Sequence, residues 1–300
     1  MSRVGREFFP DFSPAESILS GCRIELRNGI CYTVAAKNSE RMISVLIVLN
    51  ILIFLVFLFI WVYPPYRRQG KEGMPAKKWY LFNFLITAIP GFVVAVILQL
   101  LLQAVTDRMT APTVVIILID AFLSAGVFEE VIKFFGGRLL LKRSQAVRKI
   151  DYIFLFAASG IGFELTESIF SVLDGNLIGS VIRGVFCLHV FWQIYMGAHY
   201  YEYRKAKETG NQRAACGQFF RFLIVPILLH GLNDFGVLWI LEVSSTDLAL
   251  QDDMQIAAAL LAIGIALVVG IIFIIRTEIM VYREANRSRM QPEMSESVGA

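Results

Sequence analysis

Charged side chains are scarce in this sequence. Only 18% of its 300 residues are Asp, Glu, Lys or Arg, whereas 56% are hydrophobic and the mean hydropathy is +0.62. Soluble domains interrupt their apolar stretches with charge, but this chain carries apolar blocks of about twenty residues or more, long enough to cross a bilayer as helices. The composition therefore excludes an ordinary soluble domain and indicates a polytopic membrane protein.

Several sequence signals are also missing. No A-x-A-like cleavage site follows the first apolar block, so we interpret that block as a retained helix rather than a signal peptide. No internal repeat is visible, which leaves an inverted-repeat transporter without support. The chain has neither H-E-x-x-H nor G-x-S-x-G, and no serine or cysteine stands out as a nucleophile with a matched base.

Cysteines are few, and they divide into two pairs. Cys187 and Cys216 lie in or beside apolar helices, where we expect inert fillers. Cys22 and Cys31 flank an Asn-Gly turn signal near the N-terminus. Two interpretations of the second pair stay open, a disulfide on the outer side of the membrane or two free thiols.

The apolar residues predict an all-α bundle of about seven transmembrane helices. The seven blocks cover residues 43–63, 79–105, 112–141, 151–173, 177–203, 218–241 and 254–281. We assign residues 1–42 to an extracytoplasmic N-terminal segment and residues 43–281 to the membrane domain, with a core over 112–241. Residues 282–300 are predicted to form a disordered cytoplasmic tail.

Basic residues alternate along the connections between the blocks. The counts of Lys and Arg after blocks one to six are 5, 1, 4, 0, 4 and 0, and Arg276, near the end of block seven, makes 4 with the three arginines that follow this block. Because basic connections stay on the cytoplasmic side, the N-terminus is predicted outside and the C-terminus in the cytoplasm of a multi-pass cell-membrane protein. The net charge of +3 follows from this topology and gives no reason to expect a nucleic-acid partner.

Ionisable residues inside the apolar blocks are concentrated in blocks three to six. Such groups are costly in a membrane helix, so they usually face the protein interior and mark function. At 1.5 Å per residue, five of them fall within roughly 7 Å of the bilayer centre. These five are Glu130, Glu167, His189, His230 and Asp234. Their shared depth predicts one hydrated pocket. Blocks one, two and seven have few polar residues beyond Asn50, Asn83, Gln99 and Glu278, and we predict that these blocks serve packing.

The acidic pair in FEEVIKF suggests a general base. Glu129 and Glu130 precede Lys133 by one helical turn, so the lysine can pair with either carboxylate. A buried carboxylate beside a like charge and a cation can be poised to accept a proton. His189 and Glu167 could then share the proton of a water or hold that water.

The sixth block adds a second histidine. His230 and Asp234 are four residues apart and project to one side of a helix, so Asp234 can orient an imidazole that donates to a developing oxyanion. The complete set suits attack of water on a peptide carbonyl. Arg183 is a supporting residue or a satisfied helix-end charge, and Asp120 is unexplained.

Other chemistries stay open from the residues alone. Glu, His and Asp are acceptable zinc ligands, although a lysine beside the carboxylates argues against a cation. We therefore predict no cofactor and keep zinc as an alternative. The buried carboxylates could instead form the proton relay of a transporter, or the charges could assemble partner helices in a non-catalytic scaffold.

Four motifs in register resemble the PrsW family, part of the larger group of CAAX-prenyl-protease-like intramembrane proteases. The family reads E-E-x-x-K, F-x-x-x-E, a histidine followed by a glycine, and H-x-x-x-D on successive membrane helices. The matching stretches here are EEVIK (129–133), FELTE (163–167), HVFWQIYMG (189–197) and HGLND (230–234). The resemblance covers roughly residues 112–241.

The resemblance implies a glutamic-type intramembrane endopeptidase that cuts a membrane-spanning or membrane-proximal protein. Glu129 would activate the water, supported by Glu130 and Lys133. Phe163 and Glu167 would come from the second motif, with Glu167 as a second proton-handling group. His189 would be a further active-site group, and His230 and Asp234 would form the oxyanion side. Family members in bacteria cut anti-sigma factors, which gives a type of substrate by analogy.

Overall fold

The chain folds into helices, and the predicted all-α class is confirmed. The computed structural model describes residues 30–71, 73–173, 186–245 and 253–297, and these ranges contain no strand. The helices are α1 (residues 30–68), α2 (Lys77–Thr106), α3 (residues 113–139), α4 (Leu141–Ser144), α5 (Lys149–Leu173), α6 (Leu188–Glu208), α7 (residues 212–245) and α8 (Asp253–Ser297).

Five helices of the described ranges are long and apolar enough to cross a membrane. These segments are Ile43–Arg68, Lys77–Thr106, Lys149–Leu173, Gln212–Glu242 and Ile256–Met290. They correspond to predicted blocks one, two, four, six and seven. Helices α3 and α6 correspond to blocks three and five and carry more charge. Seven spans and the orientation of the termini therefore stay predictions.

Four helices of the described ranges contain a π-helical turn, which the sequence pattern did not indicate. The turns are Leu58–Val62 in α1, Thr87–Gly91 in α2, Asp120–Glu129 in α3 and Phe220–Ile224 in α7. The longest has ten residues and ends at Glu129, the first residue of the acidic pair. Since π turns are rare and are frequent at functional sites, this turn marks the middle of α3 as a candidate site.

Helices α5 and α6 form the centre of the bundle, and glycines let their backbones touch. A Cβ on Gly160 of α5 would lie 2.8 Å from the His189 carbonyl oxygen and 3.0 Å from Cβ of Gln193. A Cβ on Gly197 of α6 would lie 2.7 Å from the Tyr152 carbonyl oxygen. Small residues at both positions therefore set the distance between the two helices, as is common in membrane bundles.

Substituting Gly160→Ala is expected to destabilise the protein by about 1–3 kcal/mol, because the new methyl group overpacks the contact with α6. Thermal unfolding of the purified protein measures the change. Gly264→Ala in α8 is the matched control, since a Cβ there meets no atom within 4 Å. Equal melting temperatures of the two variants would contradict the close α5–α6 contact.

Polar side chains of α2 hold it against α5 and α3. The Asn83 amide donates to the Leu155 carbonyl oxygen at 3.1 Å, and the Thr87 hydroxyl donates to the Ser159 carbonyl oxygen at 2.8 Å. The Ser159 hydroxyl in turn donates to the Lys133 carbonyl oxygen at 2.9 Å. Asn83 thus has the packing role that the sequence predicts, and the network fixes the backbone beneath Lys133.

The end of α1, the start of α5 and parts of α6 and α8 meet at one end of the bundle. Several of these segments are rich in basic residues. Arg148, before α5, donates to the Gly70 carbonyl oxygen after α1 at 2.8 Å. Lys149 lies 2.9 Å from Glu202 of α6 and 3.8 Å from Glu284 of α8. We call this the basic end. The contacts agree with the alternation of basic connections along the sequence.

The C-terminal residues differ from the prediction, because α8 continues to Ser297. The disordered tail predicted for residues 282–300 is therefore helical over residues 282–297. The physical reason lies in packing: Ala285 is fully buried in the main apolar cluster, and Ser288 lies within hydrogen-bond distance of the Gly70 amide. The question of a Cys22–Cys31 disulfide and the supporting role of Arg183 lie outside what the structure describes.

Candidate active site

Eight of the nine site residues predicted from the sequence lie in one cluster between α3, α5, α6 and α7. They are Glu129, Glu130, Lys133, Phe163, Glu167, His189, His230 and Asp234. Most of these side chains are buried, and the Lys133 and Glu130 side chains are fully so. Groups from four helices thus surround one point inside the bundle.

Lys133 is the centre of the cluster. Its ammonium lies 2.7 Å from Oε1 of Glu130, 3.3 Å from Oε2 of Glu129 and 2.6 Å from Nδ1 of His189. An ammonium has three N–H groups and no acceptor, so these three partners use its full donor capacity. The charge also lies 4.4 Å from the centre of the Phe163 ring, a cation–π contact.

These contacts determine which nitrogen of His189 carries a proton. Because the Lys133 ammonium can only donate, Nδ1 of His189 accepts, and a neutral ring then carries its proton on Nε2. Nε2 lies 2.7 Å from Oε2 of Glu167 and so donates to that carboxylate. The backbone amide of His189 donates to Glu164 at 3.2 Å, which fixes the first turn of α6.

His230 lies between two carboxylates. Its Nδ1 is 3.0 Å from Oε1 of Glu130, and its Nε2 is 3.6 Å from Oδ2 of Asp234 and 3.9 Å from Oε2 of Glu129. The Trp192 ring stacks on the imidazole at 4.4 Å and holds its plane. Acids on both sides stabilise a doubly protonated ring, whose Nε2–H would point toward the space beside Glu129.

The two glutamates of the pair have different surroundings. Glu130 is completely buried, and both of its oxygens are engaged, Oε1 by Lys133 and His230 and Oε2 by the Gln193 amide at 3.1 Å. Oε2 of Glu129 accepts from Lys133 at 3.3 Å and also faces Nε2 of both histidines, at 4.0 Å for His189 and 3.9 Å for His230. Glu129 therefore presents its oxygen to the space that the two imidazoles share.

Two glutamines of the cluster were not identified as site residues from the sequence. The Gln99 amide of α2 donates to Oε1 of Glu129 at 2.8 Å, although block two was predicted to serve only packing. Gln193 follows His189 by one helical turn, a spacing that could have indicated it. For Gln99, the only sequence evidence for a role in the site is an amide within an apolar helix, and this evidence is weak.

On the sequence-based hypothesis that Glu129 activates a water for peptide cleavage, Gln99→Leu is expected to lower the cleavage rate about 10- to 100-fold without loss of folding, because a hydrogen bond to a charged group contributes about 1.5–3 kcal/mol. Steady-state cleavage kinetics measure the effect. Gln103→Leu, one turn further along α2, removes an amide of the same kind as the control. Equal rates for both variants would mean that the amide does not orient Glu129.

The helices bring these groups together by close backbone contact between α3 and α7. A Cβ on Gly126, in the π turn of α3, would lie 2.9 Å from the Ile227 carbonyl oxygen of α7. On the α7 side, a Cβ on Gly231 would overlap the Phe122 ring. Because Gly231 follows His230, the two glycines allow His230 to reach Glu130.

The less buried side of the cluster faces away from the basic end. Glu167 and Asp234 have side chains 18% and 21% exposed, the largest values in the cluster. Both lie well beyond the starts of α5 and α7 at the basic end. The edge of the cluster that is not fully buried therefore lies at these two acids, away from the basic end.

Three residues of the cluster could together hold a metal ion. One oxygen of Glu129 and one nitrogen each of His189 and His230 lie within 4.8 Å of one another, and these residue types are zinc ligands. The proton positions argue against metal binding here. If Nε2 of His189 bound a metal, the ring proton would lie on Nδ1, and this N–H would face the Lys133 ammonium at 2.6 Å, donor against donor. The donor set fits a metal in type and spacing, but it does not fit while Lys133 is charged.

The fold and the cluster together define a multi-pass membrane protein with a buried acid and imidazole centre. A model of the family described as PrsW family intramembrane metalloprotease matches residues 75–269, more than half of the chain. The chain therefore belongs to the PrsW family. The match includes α2 and the first part of α8, beyond the core predicted from the motifs. Comparisons with curated proteins and with solved structures give no match.

Proposed function

We propose that this protein is a glutamic-type intramembrane endopeptidase in which Glu129 activates a water for attack on a peptide carbonyl. Family membership supports intramembrane protease activity. The observation that carries the mechanism is that Oε2 of Glu129 faces Nε2 of both His189 and His230, at 4.0 and 3.9 Å. A general base within reach of one water must face the space where that water lies.

Glu130 and Lys133 position the reacting groups in this proposal. Glu130 orients the His230 ring through Nδ1, and the Lys133 ammonium compensates the charge of the acidic pair. Removing Lys133 or Glu130 would therefore disturb Glu129 and His230 together. Phe163 supports the ammonium from the side through its ring.

The two histidines have different roles in the proposed reaction. His230, between Glu130 and Asp234, donates through Nε2–H to the oxyanion that forms at the carbonyl, and a preorganised donor of this kind stabilises the transition state. As the C–N bond breaks, Glu129 returns the proton that it took from the water to the leaving amide nitrogen. His189, with its partner Glu167 at 2.7 Å, holds the water and shares its proton before attack.

The proposed substrate is a membrane-spanning or membrane-proximal protein, and an anti-sigma factor is the type implied by the resemblance. We further propose that α3 and α6 also cross the membrane, which gives seven spans in the cell membrane with the N-terminus outside. The less buried side of the site, away from the basic end, would then receive the substrate from the extracytoplasmic half of the bilayer.

The test is a comparison of membrane peptides from cells that carry the wild type or Glu129→Gln. The proposal predicts fragments cut within or beside a transmembrane segment that appear with the wild type and are lost with the variant, at equal protein levels. A proton-coupled transporter would instead give pH-dependent flux in liposomes and no difference in fragments, which would contradict the proposal.

A further inference from the structure

A cationic cleft of about 720 Å³ lies at the basic end of the bundle, between the end of α1 and the last turns of α8. Arg67 and Arg68 contribute to it from α1, and Arg289 contributes from α8. Within the described residues no carboxylate pairs with these three arginines, and Glu284, a turn earlier on α8, pairs with Arg287 instead. Among the described residues, the positive charge of the cleft therefore has no ion-pair partner.

A buried amide lines the same cleft. Gln69 is only 3% exposed, and neither its amide nitrogen nor its amide oxygen has a hydrogen-bond partner among the described residues. Buried polar groups are nearly always satisfied, so an amide left without a partner beside a cavity indicates a ligand that supplies the missing bonds. A phosphate oxygen would accept from the amide nitrogen, and a glycerol hydroxyl would donate to the amide oxygen.

The wall of the cleft changes from aromatic to cationic along α1. Phe59, Tyr63 and Arg67 follow one another at four-residue spacing, and the two rings stack at 5.7 Å with an interplanar angle of 14°. Both rings are exposed, and the wall extends about 12 Å along the helix from Phe59 to Arg67. A phospholipid presents the same order, an acyl chain followed by a phosphate.

The floor of the cleft is preformed. A Cβ on Gly70 would lie 2.7 Å from the Ser288 carbonyl oxygen, so only glycine lets the chain after α1 touch α8 here. The Gly70 carbonyl oxygen also accepts from Arg148 at 2.8 Å. These contacts hold Gln69 and Arg289 at a fixed separation before any ligand arrives.

We propose that this cleft binds the headgroup of an anionic phospholipid. Arg67 and Arg289 bind the phosphodiester, the Gln69 amide completes its hydrogen bonds, and one acyl chain lies along the rings of Phe59 and Tyr63. A free phosphate shares the headgroup's charge but not the acyl chain. The aromatic wall therefore favours the lipid as the source of the phosphate. The site lies at the basic end and is independent of the catalytic proposal.

The test uses the purified full-length protein in detergent, titrated with phosphatidylglycerol, with phosphatidylcholine or with inorganic phosphate, and bound lipid is counted by native mass spectrometry. We expect retention of phosphatidylglycerol over phosphatidylcholine, and no displacement by inorganic phosphate. Arg67→Gln and Arg289→Gln should each weaken retention roughly fivefold. Gln69→Leu, which keeps every charge, should also weaken it.

Arg143→Gln is the matched control, because it removes an exposed arginine near the basic end but outside the cleft. It should leave lipid retention unchanged. The proposal is overturned if Arg143→Gln weakens retention as much as Arg67→Gln, if Gln69→Leu has no effect, or if phosphatidylcholine is retained equally. Displacement of the lipid by inorganic phosphate would identify a simple anion site and would also overturn it.

Discussion

Glu129→Gln is expected to lower the cleavage rate about 10²–10⁴-fold, the usual contribution of a general base. The substitution is nearly isosteric: the new amide oxygen can accept from Lys133, which lies 3.3 Å from Oε2 of the glutamate. The new NH2 group can donate to the Gln99 side-chain oxygen once that amide, now 2.8 Å from Oε1 through its nitrogen, turns over. Folding should therefore be retained while proton abstraction is lost. Single-turnover cleavage of a reconstituted substrate measures the chemical step.

Two further variants separate catalysis from structure in this assay. Glu208→Gln removes an exposed acid that pairs with Arg204 at 3.2 Å, and it should cleave as the wild type does. Glu129→Asp keeps the charge but withdraws the carboxylate by one methylene. The cleavage rate should fall if Glu129 is the general base, whereas a non-catalytic scaffold should keep its function. Wild-type cleavage by Glu129→Gln would show that another group activates the water.

Lys133→Met is expected to destabilise the protein by about 3–5 kcal/mol, because it leaves the buried carboxylates of Glu129 and Glu130 without their cation. Thermal unfolding in detergent should show a large fall in melting temperature and the cleavage assay a loss of activity. Lys142→Met, at an exposed position beyond α3, is the control and should behave as the wild type.

A double substitution tests whether the charges are coupled. Since Lys133 and Glu130 are 2.7 Å apart, Lys133→Met combined with Glu130→Gln should be more stable than the sum of the single changes predicts. Strict additivity, or a Lys133→Met protein as stable as the wild type, would mean that the ammonium does not hold the acidic pair. Activity should not return in the double variant, because Glu129 still lacks the Lys133 ammonium and His230 loses the charge of its partner at Nδ1.

The convergence of the main acids and imidazoles could be predicted from the sequence. Glu129 and His230 are ionisable groups in apolar helices, and such groups have few favourable positions other than a shared interior. Periodicity alone placed His230 and Asp234 on one face. The prediction of a cluster therefore rests on the free-energy cost of burying charge in a membrane helix. The roles of the individual residues stay proposals.

Other features of the site depend on contacts that no local pattern encodes. Gln99 resembles any amide within a membrane helix, and only packing of α2 against α3 shows that it donates to Glu129. The π turn that ends at Glu129 has no signature in the spacing of apolar residues. The helical residues after 281 were missed because their stability comes from α1 and α5, distant in sequence.

The measurement that tests the central claim most directly is cleavage by protein whose metal content is determined after exhaustive treatment with a chelator. The proposed water activation by Glu129, with Lys133 as the buried cation, predicts unchanged cleavage at far less than one metal ion per protein, and no gain on adding zinc. Loss of cleavage on chelation and its return in proportion to bound zinc would contradict the account.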